Sequence, residues 1–142
     1  MSTVTENIRV AVVGAGGRMG QMLIEAIAAA DDCVLHGAFD RADSALLGSD
    51  ASAFTGKPCG VLVSPDFAQG LAGAHALIDF TRPEGTLEHL AACRKLGVNM
   101  VIGTTGFSEA QKAQIADAAK DIAIVMAPNM SVGVNVTFKL LE

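Results

Sequence analysis

Residues Val12–Gly20, VVGAGGRMG, place four glycines (Gly14, Gly16, Gly17 and Gly20) within seven positions, between an apolar run and an Ala-rich run with helical spacing. A turn needs one or two glycines. Four in so short a span clear space for something large and negatively charged to touch the backbone. In a strand–turn–helix unit, Gly14 makes the tight turn and Gly16 admits a diphosphate. The helix start then offers N–H groups and the positive end of its dipole. Asp40 ends the next apolar run, where a carboxylate accepts hydrogen bonds from a ribose diol. One departure is visible: the fingerprint G-x-G-x-x-G would put Gly at position 19, but Met19 stands there and Gly20 comes one residue later.

These groups meet only if the elements around them alternate. Ile8 to Val13 is short, β-branched and uninterrupted, the pattern of a buried strand. Gln21 to Ala30 reads as a helix, Val34 to Phe39 as a second strand, and Arg41 to Gly60 as a long loop with a helical turn. Gly60 to Val63 is a short third strand. Ser64-Pro65-Asp66 then reads as an N-cap, a first-turn Pro and a first-turn acid. Ala76 to Phe80 is a fourth strand, and Thr81 with Glu84 fits a capping box opening a helix to about Leu96, closed by Gly97. Val98 to Ile102 is a fifth strand, Ser108 and Gln111 form a second capping box before a helix to about Lys120, and Ile122 to Met126 is a sixth strand. After APNMS the chain is helix-compatible to Glu142, with Val134, Phe138 and Leu141 as apolar positions. This alternation specifies an α/β fold: a single Rossmann-type, doubly wound parallel sheet with helices on both faces and its ligand at the carboxyl edge.

Composition agrees. The chain has 142 residues, 51% hydrophobic and 18% charged, as a two-faced buried sheet requires. Only 4% of residues are aromatic, with no Trp and no Tyr, and the net charge is −5, which disfavours nucleic acid and anionic membrane as partners. No apolar run approaches the ~20 residues of a membrane span, and MSTVTENIRV lacks the features of a secretory signal, so a cytoplasmic location is expected. Cys33, Cys59 and Cys93 are odd in number and widely spaced, so buried free thiols are expected. His36, His75 and His89 show no metal-ligand spacing; no metal site is expected.

The remaining polar groups fall in three later loops at the same edge: DFTRPEG after the fourth strand, GTTG after the fifth and APNMSVGVN after the sixth. Small residues in GTTG permit close approach to a nicotinamide ribose. Asn129 and Ser131 either bond a carboxamide or cap the last helix. At the second strand's end, Asp40 favours a 2′-hydroxyl and hence NADH, whereas Arg41 either pairs with a 2′-phosphate, admitting NADPH, or is a solvated loop cation. With both present, use of NADH or NADPH is expected, NADH at least as good.

VVGAGGRMG, ALIDFTRPEG, VIGTTGF and APNMSVGVN, in this order and at these separations, closely resemble the amino-terminal domain of the dihydrodipicolinate reductase family, from Ile8 to Glu142. The resemblance implies an NAD(P)H-dependent step of bacterial diaminopimelate and lysine biosynthesis. It implies Gly14, Ala15, Gly16, Gly17, Arg18 and Met19 around the pyrophosphate, and Asp40 and Arg41 beside the adenosine ribose. Gly103, Thr104 and Thr105 would lie by the nicotinamide ribose, and Ala127, Pro128, Asn129 and Met130 by the nicotinamide, with Phe80 and Arg82 lining the crevice. Relatives often carry Glu where Asp40 stands and an aromatic residue where Met130 stands.

In that family a second domain binds the cyclic dicarboxylate substrate, assists protonation and mediates a homotetramer; nothing here matches it. The expectation is therefore a fragment: residues 1–130 as the dinucleotide-binding unit and 131–142 as the start of the helix leading to the substrate domain. It would carry no catalytic residue of its own and bind cofactor without turnover. Two other readings stand beside this one, a free-standing NAD(P)-sensing module and a Rossmann domain for another nucleotide such as an adenosyl cofactor.

Overall fold

A computed structural model describes residues 6–127. The expected helix over 131–142, with Val134, Phe138 and Leu141, lies outside the described residues. Six strands, β1 (Ile8–Val13), β2 (Cys33–Phe39), β3 (Val63–Ser64), β4 (Ala76–Asp79), β5 (Asn99–Ile102) and β6 (Ile124–Met126), form one sheet in the order β3-β2-β1-β4-β5-β6. Every pairing is parallel. The strand order reverses between β1 and β4, so the loops after these strands flank the switch point where such sheets take ligands.

Alternation along each strand builds two cores. Val10 and Val12 pack with Ile24 and Ile27 of helix α1 (Arg18–Ala29) on one face. Ala11, Val13 and Leu77 pack on the other with Leu90 and Cys93 of α3 (Pro83–Leu96) and Ile115 of α4 (Glu109–Ala118). Each fully buried aliphatic chain such as Ile24 or Leu77 contributes about 1.5–3 kcal/mol. Asp79 follows Leu77 by two residues, so it faces the α3 layer, and its side chain is fully buried.

The β1–β2 register shifts between Val10, paired with Leu35, and Ala11, paired with Gly37, leaving His36 without a partner. The shift puts Ala38 in the α1-side core and Phe39 in the α3-side core.

Several boundaries differ from the sequence reading, for local reasons. Helix α1 begins at Arg18, three residues before Gln21, because Gly17 serves as its N-cap. The long loop does contain one helical turn, Ala53–Thr55. The cap of α2 (Phe67–Leu71) is Asp66 rather than Ser64: its Oδ1 accepts from the Gln69 N–H at 3.2 Å, while Ser64 Oγ accepts from the Asp66 N–H at 3.0 Å. Helix α3 is capped by Arg82 without a side-chain bond, not by Thr81, whose hydroxyl donates to Asp79 instead. The box at Ser108 and Gln111 forms as expected, and Gly97 closes α3 at φ 71.

Candidate functional site

The glycine loop joins β1 to α1 at the carboxyl edge. Gly14 takes φ 72, a left-handed conformation that favours glycine. The Ala15 N–H donates to the Phe39 carbonyl at 3.0 Å, the Gly17 N–H to the Gly14 carbonyl at 3.0 Å, and the Gly16 N–H to Asp40 Oδ2 at 3.2 Å. Three N–H groups of the loop are therefore engaged within the protein. The groups left for an anion are those of the first helical turn, starting at Arg18 and Met19. Gly17 offers no capping side chain, and the first turn contains no acid, so nothing on α1 itself offsets the positive end of its dipole.

The glycine that closes the motif is Gly20. A Cβ there would overlap the Gly14 carbonyl oxygen, so Gly20 allows the close helix–strand approach that a glycine at position 19 gives in the usual fingerprint. Met19 points outward, partly exposed. Gly16 is required by a neighbour as well as by any ligand: a Cβ would come within 2.6 Å of Asp40 Oδ2 and 2.8 Å of Leu46 Cδ1.

Asp40, half-buried after β2, accepts from Gly16 N–H, from Ser44 Oγ at 3.0 Å through Oδ2, and from Arg41 N–H at 2.9 Å through Oδ1. A carboxylate offers about four lone-pair positions, so acceptor capacity remains for a diol hydroxyl. The Arg41 side chain is 80% exposed and lies 3.6 Å from Asp43, free to swing. A cleft of about 150 Å³ beside the loop is lined by Ala15, Gln21, Leu46, Asp50 and Phe54. Its rim is stiffened by Asp50, whose carboxylate takes the N–H groups of Cys59, Ser52 and Gly60 and titrates well below the usual range for that reason. A larger groove of about 400 Å³ between α3 and α4, lined by Leu87, Arg94, Gln114 and Asp117, includes none of these loop residues.

Across the switch point, the loops after β4 and β5 are tied together at Asp79. Its backbone carbonyl accepts from the Gly103 N–H at 2.8 Å. Its Oδ1 accepts from Thr81 N–H at 3.0 Å and Thr81 Oγ1 at 2.6 Å. Its Oδ2 meets His89 Nδ1 at 2.7 Å, and His89 stacks on Phe67 with ring centroids 4.6 Å apart. Thr104 is buried; its Oγ1 accepts from Thr81 N–H and from Thr86 Oγ1, each at 2.9 Å, so its side chain is committed inside the fold. A Cβ at Gly103 would overlap the Phe80 ring, which packs directly on that residue. Thr105 and Arg82 are exposed, and Ala127 is half-buried with its N–H on the Ile102 carbonyl at 3.3 Å. Pro128, Asn129, Met130 and Ser131 lie outside the described residues.

Spacing in the sequence singles out neither Ser44 nor Thr86, gives Asp79 only as the first residue of DFTRPEG, and weighs His89 only as a metal ligand. Asp79 carried a signal, as an acid inside an otherwise apolar strand; His89 carried none, since its partner is ten positions away on another element. Among the described residues no group of three or more His, Cys, Asp or Glu gathers to hold a metal, and no helix is long and apolar enough to cross a membrane. Cys33, Cys59 and Cys93 are all free, but only Cys93 is buried; Cys33 is half-buried and Cys59 exposed. Burial, with the nearby Asp79 charge adding, pushes the Cys93 thiol up to about 12.

The family described as dihydrodipicolinate reductase, N-terminus, matches residues 8–130. The 4-hydroxy-tetrahydrodipicolinate reductases of Janthinobacterium sp. (strain Marseille) and Herminiimonas arsenicoxydans are 62% and 63% identical over 135 residues, 95% of this chain and 50% of each relative. The chain thus spans about half the length of these relatives. A dipicolinate-bound dihydrodipicolinate reductase from Paenisporosarcina sp. TG-14 superposes with a TM-score of 0.78 at 28% identity, covering 94% of this chain and 52% of that one. GenD2 of gentamicin A biosynthesis, solved with NAD, shares the fold at a TM-score of 0.70 and 23% identity, covering 90% of this chain and 36% of that one. With its glycine loop, β4–α3 loop and GTTG segment all inside the matched span, this chain belongs to the dihydrodipicolinate reductase family.

Proposed function

We propose that this chain is the NADH- or NADPH-binding half of a reductase that delivers hydride to the cyclic dihydrodipicolinate precursor in bacterial diaminopimelate and lysine biosynthesis. The observation that carries the reading is the Asp40–Gly16 contact: a ribose-binding acid and a pyrophosphate-binding loop held together at the switch point, beside a helix start that has no capping side chain and no first-turn acid. The residues present fit a dinucleotide. The first-turn N–H groups of Arg18 and Met19 hold the pyrophosphate, with Gly14 and Gly16 clearing the approach. Asp40 takes the adenosine ribose and Arg41 meets a 2′-phosphate when there is one. Gly103, Thr105 and the Phe80 ring form the wall for the nicotinamide half, with Thr104 bracing that wall from inside rather than touching the ligand. Ala127, Pro128, Asn129 and Met130 complete the nicotinamide end.

When bound, the nicotinamide supplies the hydride; the protein's part here is to hold and orient it. Recognition of the cyclic dicarboxylate, proton delivery and homotetramer assembly are assigned to the portion of the relatives' length that this chain does not match, and a cytoplasmic site of action goes with that role. On this reading the 142 residues bind cofactor without turnover. Titration with NADH read by nicotinamide fluorescence, followed by an assay with the cyclic substrate, tests it. Turnover at rates typical of enzymes, about 1–1,000 per second, would overturn the division of labour.

A further inference from the structure

The Asp79 carboxylate is fully buried, yet no step of the reading above uses it. A buried carboxylate is costly unless its oxygens are bonded, and here they collect donors from three places: Thr81 of the β4–α3 loop, His89 of α3 and, at 3.4 Å, Thr104 Oγ1 of the β5–α4 loop. A carboxylate oxygen accepts, so Nδ1 of His89 carries the hydrogen of the 2.7 Å contact and the imidazole is fixed in one tautomer against Phe67. The same residue's backbone carbonyl holds the Gly103 N–H at 2.8 Å. Asp79 therefore anchors both loops of the nicotinamide wall, alongside the direct bond from the Thr81 N–H to Thr104 Oγ1. On the opposite side Thr81 Cγ2 lies 3.4 Å from the position of a Cβ on Gly14, so the network reaches the turn of the glycine loop as well.

We propose that His89 is a positioning residue for the nicotinamide half of the cofactor, acting through Asp79 on Thr81 and Thr104 to set the spacing of the β4–α3 and β5–α4 loops. The inference rests on the dinucleotide reading. It predicts a selective defect, because the adenosine side is built from other elements: the hydrogen bonds that join Gly16, Asp40 and Ser44 to one another include none to Asp79, Thr81, His89 or Thr104.

The test compares NADH with ADP, which lacks the nicotinamide and its ribose, on the chain and three variants. His89→Ala is expected to weaken NADH by about fivefold or more, the effect of one well-made hydrogen bond, and to leave ADP unchanged. His89→Asn keeps a donor near the place of Nδ1 but loses the ring, and is expected to restore NADH binding to within about twofold. Thr86→Val removes a donor to Thr104 without changing volume much and gives a second reading, with NADH weakened and ADP untouched, should His89→Ala fail to fold. Equal loss on both ligands, or no loss in either His89→Ala or Thr86→Val, would overturn the inference while leaving the cofactor reading intact. A parent chain that binds neither NADH nor ADP would overturn the cofactor reading, and this inference with it.

Discussion

The Asp40 Oδ2 atom receives the Gly16 N–H at 3.2 Å, so the acid after β2 and the glycine loop after β1 form one unit within the fold. The same oxygen takes the Ser44 hydroxyl, and Oδ1 takes the Arg41 N–H. Removing the carboxylate leaves three donors without that acceptor. Asp40→Ala is therefore expected to destabilise the ligand-free chain by about 1–3 kcal/mol, the range for hydrogen bonds to a charged group in a partly buried place. Urea unfolding without cofactor measures this; an unchanged midpoint would mean that Asp40 has no structural role.

Gly20 meets the Gly14 carbonyl oxygen so closely that no side chain fits, and backbone cannot swing aside. Gly20→Ala is expected to cost about 1–3 kcal/mol by forcing α1 away from β1. At roughly 3 °C per kcal/mol for a chain of this size, thermal unfolding should shift down by about 3–9 °C. Gly48→Ala, at an open loop position with nothing within 4 Å, carries only the strain of its positive φ and should shift less.

Arg41 extends into solvent, and among the described residues its side chain meets the exposed Asp43 at 3.6 Å. Arg41→Ala is expected to weaken NADPH by about three- to tenfold, as for one exposed charge-assisted contact, and to change NADH less than twofold. Parallel titrations with the two cofactors decide it. Equal effects on both would return Arg41 to the status of a solvated loop cation.

Cys93 gives a pH signature. Its thiol is raised to about 12 in the fold by burial and the Asp79 charge, against about 9 unfolded. A raised acid favours the fold while both states are protonated, below pH ~9. Above that the unfolded state loses its proton first, and stability falls by up to about 1.4 kcal/mol per pH unit until pH ~12. Five lysines and the thiols of Cys33 and Cys59 titrate in the same window, so the comparison with Cys93→Ala, and not the gap itself, assigns the effect. Urea midpoints at pH 8 and pH 10 should separate, and Cys93→Ala should narrow the gap despite its own cavity cost. An equal gap in both proteins would assign the pH dependence elsewhere.

What the sequence made legible follows from how local the cause was. β1 is found at its expected residues, Ile8–Val13, because a continuous β-branched run has one reading. Gly97 and the Ser108–Gln111 box were legible because capping is settled within a few positions. Thr81 looked equally like a cap, but a buried Asp79 two residues earlier took its hydroxyl, which no local pattern reveals. Gly20 looked like a misplaced glycine until the Gly14 carbonyl was seen beneath it. Asp40 could be picked out by its place after a strand, whereas its bond to Gly16 depends on β1 and β2 lying side by side. His89, joined to its partner only by the packing of α3 against β4, was invisible to spacing.

The measurement that bears most directly on the central claim is fluorescence titration of NADH with the chain and its Asp40→Ala variant. The protein has no Trp or Tyr to compete with the nicotinamide signal. Saturable binding in the micromolar range, about −8 kcal/mol, weakened by roughly tenfold or more in Asp40→Ala, is the predicted result. Absence of saturable binding to the folded chain, or identical affinity in the variant, would contradict the assignment of the glycine loop and Asp40 as a dinucleotide site.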